Sequence, residues 1–152
     1  MKTIHASWEL ENIGADTYEI TMDAQDAPEL LEEEERRLTK LGAEYIVVKT
    51  PVNCQKLLFG LPKLGYTYVE TVFHVMIRRD EYHMPATITR FDRGLTVALR
   101  TDAEDRDRVF DLIRKGVFVS DRVSIDPAFG VAKGGNRYAN WLGGMLDRGG
   151  YL

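Results

Sequence analysis

Near the C-terminal end of the chain, Tyr138, Trp141, Leu142, Met145 and Leu146 fall at i, i+3, i+4, i+7 and i+8. That spacing places apolar and aromatic side chains along one side of an α-helix. Such a face has to be covered, either by a second layer of the same fold or by another chain. The pattern predicts a helix over 131–147, ended by Gly149-Gly150.

Upstream, the chain alternates between strand and helix signals. Residues 3–9 and 17–22 predict strands about a turn at Gly14. Asp26-Ala-Pro-Glu29 predicts a helix start, with Asp26 as cap and Pro28 in the first turn. Leu30, Leu31, Leu38 and Leu41 lie mostly on one side of that helix, and Gly42 stops it. Residues 43–49 predict a buried strand. A second helix follows over 53–64, with Leu57, Leu58, Leu61 and Leu64 at helical spacing and Pro62 disturbing its last turn. The run 66–79 is rich in β-branched and aromatic residues, and predicts one long strand or two joined by a bulge. The first 80 residues therefore predict a ββαβαβ unit. Residues 81–94 read as a linker, and 95–152 as a second portion. That portion has a strand at 95–100, a capping box at Thr101-Asp-Ala-Glu104 and a helix over 104–117 carrying Val109, Phe110, Ile113 and Val117 inward. The fold class is α+β (mixed α/β).

A length of 152 residues suits one domain or two small sub-domains sharing a core. Cys54 is the sole cysteine, so no internal disulfide forms and a reducing compartment fits. The N-terminus lacks the apolar core of a signal peptide, and no apolar run approaches ~18 residues. No membrane span is expected, and the cytoplasm is the expected location. Charge is uneven: residues 1–49 carry −7 and residues 50–152 carry +3. The second value is too weak to indicate nucleic acid. The acidic run Glu32–Glu35 reads as the solvated face of a helix.

Chemistry-bearing motifs are sparse. His5, His74, His83 and Cys54 are scattered without a ligand pair such as HxxxH or CxxC. There is no GxSxG. Cys54 lies at a predicted helix start, where a thiol pKa can fall, but a packed, inert cysteine is the simpler reading. Residues 129–136, FGVAKGGN, lack the GxxxxGK[ST] pattern of a phosphate loop. Arg122 and Asp126 lie in a loop between two predicted helices, where functional groups often sit. Tyr138 and Trp141 share a helix face and read first as core, alternatively as the lining of an acceptor pocket.

The segment FVSDRVSIDPAFG…RYANWL resembles part of a branch of the GNAT N-acetyltransferases that includes the dTDP-fucosamine acetyltransferases. The residues that carry the resemblance are Phe118, Ser120, Arg122, Asp126 and Pro127, then Tyr138 and Trp141. Asp121 widens the serine–arginine spacing by one residue against that branch. KLGYTYVETVFHVMIRR resembles the strand closing the N-terminal sub-domain of such proteins. Trp8-Glu9 and Gly14 sit where they carry a W-[DE]-[ST]-x-F-F-G segment, although the paired phenylalanines are missing here.

The resemblance implies a GNAT-like (acyl-CoA N-acyltransferase) fold beginning with the strand at 95–100 and the two helices after it. It implies acetyl transfer from acetyl-CoA to a small-molecule amine, an amino sugar on a nucleotide carrier. The cofactor loop of such enzymes, [QR]-x-x-G-x-[GA], does not occur in this sequence, nor does the tyrosine general acid that follows it. The chain is therefore expected to be an N-terminal portion, inactive alone, binding no acetyl-CoA tightly and holding no catalytic residue. Arg122, Tyr138 and Trp141 are the candidate acceptor-binding residues, Arg122 because a guanidinium suits bidentate phosphate contact. A homodimer or a complementing C-terminal GNAT segment is the expected partner. The alternatives are a non-catalytic binding or interaction module and one half of a split acetyltransferase.

Overall fold

The computed structural model describes residues 1–81, 83–96 and 102–149. Its centre is a three-stranded sheet in the order β1 (Lys2–His5), β2 (Thr17–Thr21), β3 (Tyr45–Lys49). Strand β1 runs antiparallel to β2 with Ile4 opposite Glu19, and β2 runs parallel to β3 with Glu19 beside Val47. The parallel pair is bridged by α2 (Leu30–Lys40), as a parallel crossover requires.

Strand alternation sorts the two faces of the sheet. Tyr18, Ile20, Ile46 and Val48 meet Leu31 and Leu38 of α2, Leu57 of α3 (Gln55–Gly60), and Cys54 and Leu61, forming the main apolar core. Acidic residues open α2 and Arg37 and Lys40 close it, matching the helix dipole. After α3 the chain tightens into a single 3-10 turn, Leu61–Leu64, with Pro62 at its start and Gly65 at a left-handed φ of 89°. The irregular end expected from Pro62 is thus present.

The other face, carrying Thr17, Glu19, Tyr45 and Lys49, lies toward the C-terminal helices. These are α5 (Ala103–Arg114), α6 (Arg122–Ile125) and α7 (Gly130–Asp147), with α7 packed on α1 (Trp8–Ile13), α5 and α6. A smaller core of Ile13, Ala15 and Val123, flanked by Tyr45 and Phe129, joins the two portions.

Several expectations need correction. Residues 8–13 form a helix, not the end of a strand, because Glu9 and Ile13, four apart, are both drawn inward. The first unit is therefore βαβαβα among the described residues. Asp26 does not cap α2; its Oδ2 accepts from the Asp23 N–H at 2.7 Å and from the N-terminal ammonium at 2.8 Å. The run 66–79 forms no strand, and Val72, Phe73, Val75, Met76 and Ile77 are exposed. Its composition favours a pleated, half-buried surface, but among the described residues no neighbouring strand supplies one. The expected linker contains a short helix, α4 (Ala86–Asp92). The expected strand 95–100 and Thr101 lie largely outside the described residues; the observed cap of α5 is Asp102, which accepts from the Asp105 N–H. No described helix is long and apolar enough to cross a membrane.

Candidate functional site

The polar sheet face and the C-terminal helices enclose a network of buried charges. Glu9 is fully buried in the first turn of α1. Its Oε1 accepts from Arg122 Nη2 at 2.6 Å and from Arg137 Nη2 at 2.9 Å, and its Oε2 from Arg137 Nε at 3.0 Å. One carboxylate thus ties α6 to α7. Glu19, nearly buried on β2, accepts from Lys49 Nζ at 2.6 Å and, at a long 3.4 Å, from Arg122 Nη2. Burial opposes the charge on Arg137, but the hydrogen bonds and charge of Glu9 outweigh it and hold its pKa above the ordinary value.

Arg122 is placed by a local device. Asp121 caps α6, its Oδ1 accepting from the Val123 and Ser124 N–H groups, so the helix begins with Arg122 aimed at the sheet. The Arg122 N–H donates to Glu70 at 2.9 Å. Its Nη1 is buried without a hydrogen-bond partner. Beside it, the Tyr45 hydroxyl donates to Asp126 Oδ2 at 2.8 Å. Burial, then this carboxylate, pushes the Tyr45 pKa up to about 12, and the nearby Arg122 charge only partly offsets them. Tyr45 therefore stays protonated across the neutral range.

The interface between α1 and α7 continues this polarity. Lys133 Nζ donates to the Ile13 carbonyl at 2.6 Å, satisfying the C-terminal end of α1, and Asn140 donates to Asn12 at 3.0 Å. Lys133, Arg137 and Asn140, at i, i+4 and i+7, make one polar stripe of α7. A second stripe, Gly134, Gly135 and Ala139, is buried against α5 and α6. A Cβ on Gly135 would lie 2.8 Å from the Arg114 carbonyl oxygen, and one on Gly134 would overlap Ser124. Close helix approach therefore requires both glycines.

The three residues singled out in sequence are treated differently. Arg122 is 8% exposed and already paired with carboxylates, so it does not fit the role of an open phosphate ligand. Tyr138 is half-buried, with its ring centroid 4.6 Å from that of Phe118, and burial raises its pKa. Trp141, one turn on, is 62% exposed. Tyr138 and Trp141 thus sit on neighbouring parts of α7, while Arg122 points away into the interior. The predicted apolar stripe is split: Leu142 and Leu146 are half-buried, Trp141 and Met145 face outward. Residues 130–136 of the glycine segment form the first turns of α7, not a loop.

Sequence reasoning missed Glu9, Glu19, Lys49 and Arg137 as a group. The available signals were Glu9 next to Trp8 in the resembling segment, Arg137 before Tyr138, and the strand parity that sets Glu19 apart from Ile20. Among the described residues, no group of His, Cys, Asp and Glu is arranged to hold a metal ion. Two open surface concavities, of ≈ 430 and ≈ 460 Å³, border α2, and neither touches Arg122, Tyr138 or Trp141. Compared with known proteins, the chain matches no family model, no curated protein and no solved structure.

Proposed function

We propose that this chain is the acceptor-side portion of a GNAT-type N-acetyltransferase, with an amino sugar on a nucleotide carrier as the amine and acetyl-CoA as donor in the complete enzyme. The observation that supports it is the meeting of the resembling segments in space. Glu9, from the Trp8-Glu9 segment, receives Arg122 and Arg137 from the Phe118–Trp141 segment, 113 and 128 residues away. Phe118 packs on Tyr138, and Asp126 binds Tyr45. In this reading the buried charges are positioning residues. They fix α7 so that Tyr138 and Trp141 present an aromatic surface to the acceptor. Tyr138, kept protonated by burial, offers a hydroxyl donor to a sugar oxygen. Acetyl-CoA would supply the thioester that the amine attacks, and positioning of the two reactants would carry most of the rate.

One observation favours a second reading. Trp141 and Met145 are exposed on α7, as the docking face of a non-catalytic interaction module would be. Calorimetry separates the two. The acceptor reading expects a nucleotide-linked amino sugar to bind, with affinity falling about tenfold (~1.4 kcal/mol) in Trp141→Ala. It expects no acetyl-CoA binding by this chain alone. Absence of sugar-nucleotide binding would favour the interaction module, and micromolar acetyl-CoA binding would overturn the acceptor-side assignment.

A further inference from the structure

Residues 67–77 are an apolar run that the described fold leaves unused. Their backbone groups make no backbone–backbone hydrogen bond among the described residues. Val75 is 88% and Met76 98% exposed, and Val72, Phe73 and Ile77 are exposed beside them. Polar contacts in the run are few: Tyr68 with Thr71 at 2.5 Å, and Glu70 with the Arg122 N–H at 2.9 Å. A run of β-branched and aromatic residues with free backbone donors and acceptors is a template for strand pairing.

The sequence itself says what would pair with it. In a symmetric antiparallel pair, the two-fold axis stands perpendicular to the sheet. It therefore keeps a residue and its symmetry mate on the same face. Directly opposed residues also share a face, so their numbers must sum to an even value. Three registers centre the axis on the middle of the exposed stretch Val72–Ile77: at Phe73, at His74 or at Val75. At Val75, Glu70 would face Asp80 of the second copy, a like-charge pair. At Phe73, Glu70 would face Met76 and Val72 would face His74. At His74, Glu70 faces Arg78, Val72 faces Met76 and Phe73 faces Val75. Of the three, only this register opposes unlike charges at both ends; between them Val72–Met76 and Phe73–Val75 are apolar pairs, Thr71 lies beside Ile77, and the two His74 rings meet at the axis. It also gathers Phe73, Val75 and Ile77 of both copies on one face. Arg78 is free to exchange, since its present ion pairs with Asp80 and Glu81 are exposed.

We propose that residues 70–78 form a self-complementary β-strand, through which two copies of this chain pair antiparallel about a two-fold axis at His74. The proposal does not depend on the acetyltransferase reading, because the pairing uses neither Tyr138 nor Trp141. It gives the expected homodimer a defined surface and register.

Sedimentation velocity over a concentration series tests the pairing, and cysteine cross-linking tests the register. The wild-type chain should show a monomer–dimer equilibrium. Val75→Lys should raise the dissociation constant about tenfold or more, because the lysine faces Phe73 twice in the symmetric pair. Its far-UV circular dichroism should stay unchanged, since Val75 is exposed. Opposed residues of an antiparallel pair lie ~4.5–5.5 Å apart at Cα, within disulfide range. His74→Cys should therefore cross-link to itself under mild oxidation. Val72→Cys and Met76→Cys should each fail alone yet link when mixed. Cys54 is buried and stays out of the reaction. A strict monomer at all concentrations overturns the proposal, as does a dimer insensitive to Val75→Lys. Self-linking through residue 72 or 76 in preference to 74 overturns the register.

Discussion

Glu9 carries its charge at zero exposure and receives hydrogen bonds from two arginines that arrive on different helices. Removing that charge would leave two guanidinium groups, 8% and about a quarter exposed, without their main partner. Glu9→Gln is therefore expected to cost about 3–5 kcal/mol, the range for breaking a buried ion pair from one side. Urea unfolding followed by far-UV circular dichroism measures it. A loss below about 1 kcal/mol would mean that the arginines find water instead. Glu34 makes a separate, pH-dependent contribution. Hydrogen bonds from Arg37, and to a smaller extent from Thr3, hold its carboxyl at about 2, below the ordinary 4.5. The folded state thus favours the ionised form. The stabilisation is complete above pH 4.5 and is lost as the pH falls toward 2. Glu34→Gln should flatten stability against pH in that window while lowering stability at neutral pH; an unchanged acid limb would contradict it. Neither residue stood out in the sequence as a member of an ion pair. Glu34 lies in an acidic run that reads as a solvated face, and Glu9 lies between Trp8 and Leu10, which turned out to be the exposed positions.

At the scale of elements, α7 shows both what the sequence made plain and what it hid. Its extent was legible to within a residue, from the apolar spacing between Tyr138 and Leu146 and the Gly149-Gly150 stop. Its orientation was not. The aromatic and aliphatic stripe suggested the inward face, whereas Gly134, Gly135 and Ala139 are the residues that pack against α5 and α6. Glycine in a helix interior costs about 1 kcal/mol relative to alanine, so each needs a reason. For Gly135 the reason is the backbone of α5, 2.8 Å from a Cβ. For Gly143 the nearest atom is a Phe110 ring carbon at an ordinary 3.6 Å. Gly135→Ala is therefore expected to destabilise by about 1–3 kcal/mol through overpacking. Gly143→Ala should stabilise by up to about 1 kcal/mol. Thermal unfolding of the two variants checks the contrast, and equal effects would remove the packing argument. Shorter elements were less legible. Helix α1 spans six residues, too few to show a period, and one of its two inward residues, Glu9, is a glutamate. The run at 66–79 has the composition of a strand, but a strand is a property of two segments and the second is not within the described sheet.

At the scale of the molecule, contacts cross the division expected at residue 80, from Glu9 to Arg122 and from Ile13 to Val123. The N-terminal sheet presents one apolar face to α2 and α3, and one polar face whose Glu19 and Tyr45 meet Arg122 of α6 and Asp126 just after it. The class, α+β, was legible from the alternation of strand and helix signals. The interlock was not, because it is made by charged residues, which sequence patterns assign to the surface. Its members are also far apart: Glu9 and Arg137 are separated by 128 residues. Contacts of that span close late in folding, because the loop between them must be ordered first. The consequence is felt during synthesis. At ~5–20 residues per second, Glu9 leaves the ribosome about 6–25 s before Arg137 does. An apolar anchor at that position would spend the interval as a sticky patch on a nascent chain. A carboxylate spends it hydrated and inert, and becomes an anchor only when its arginines arrive.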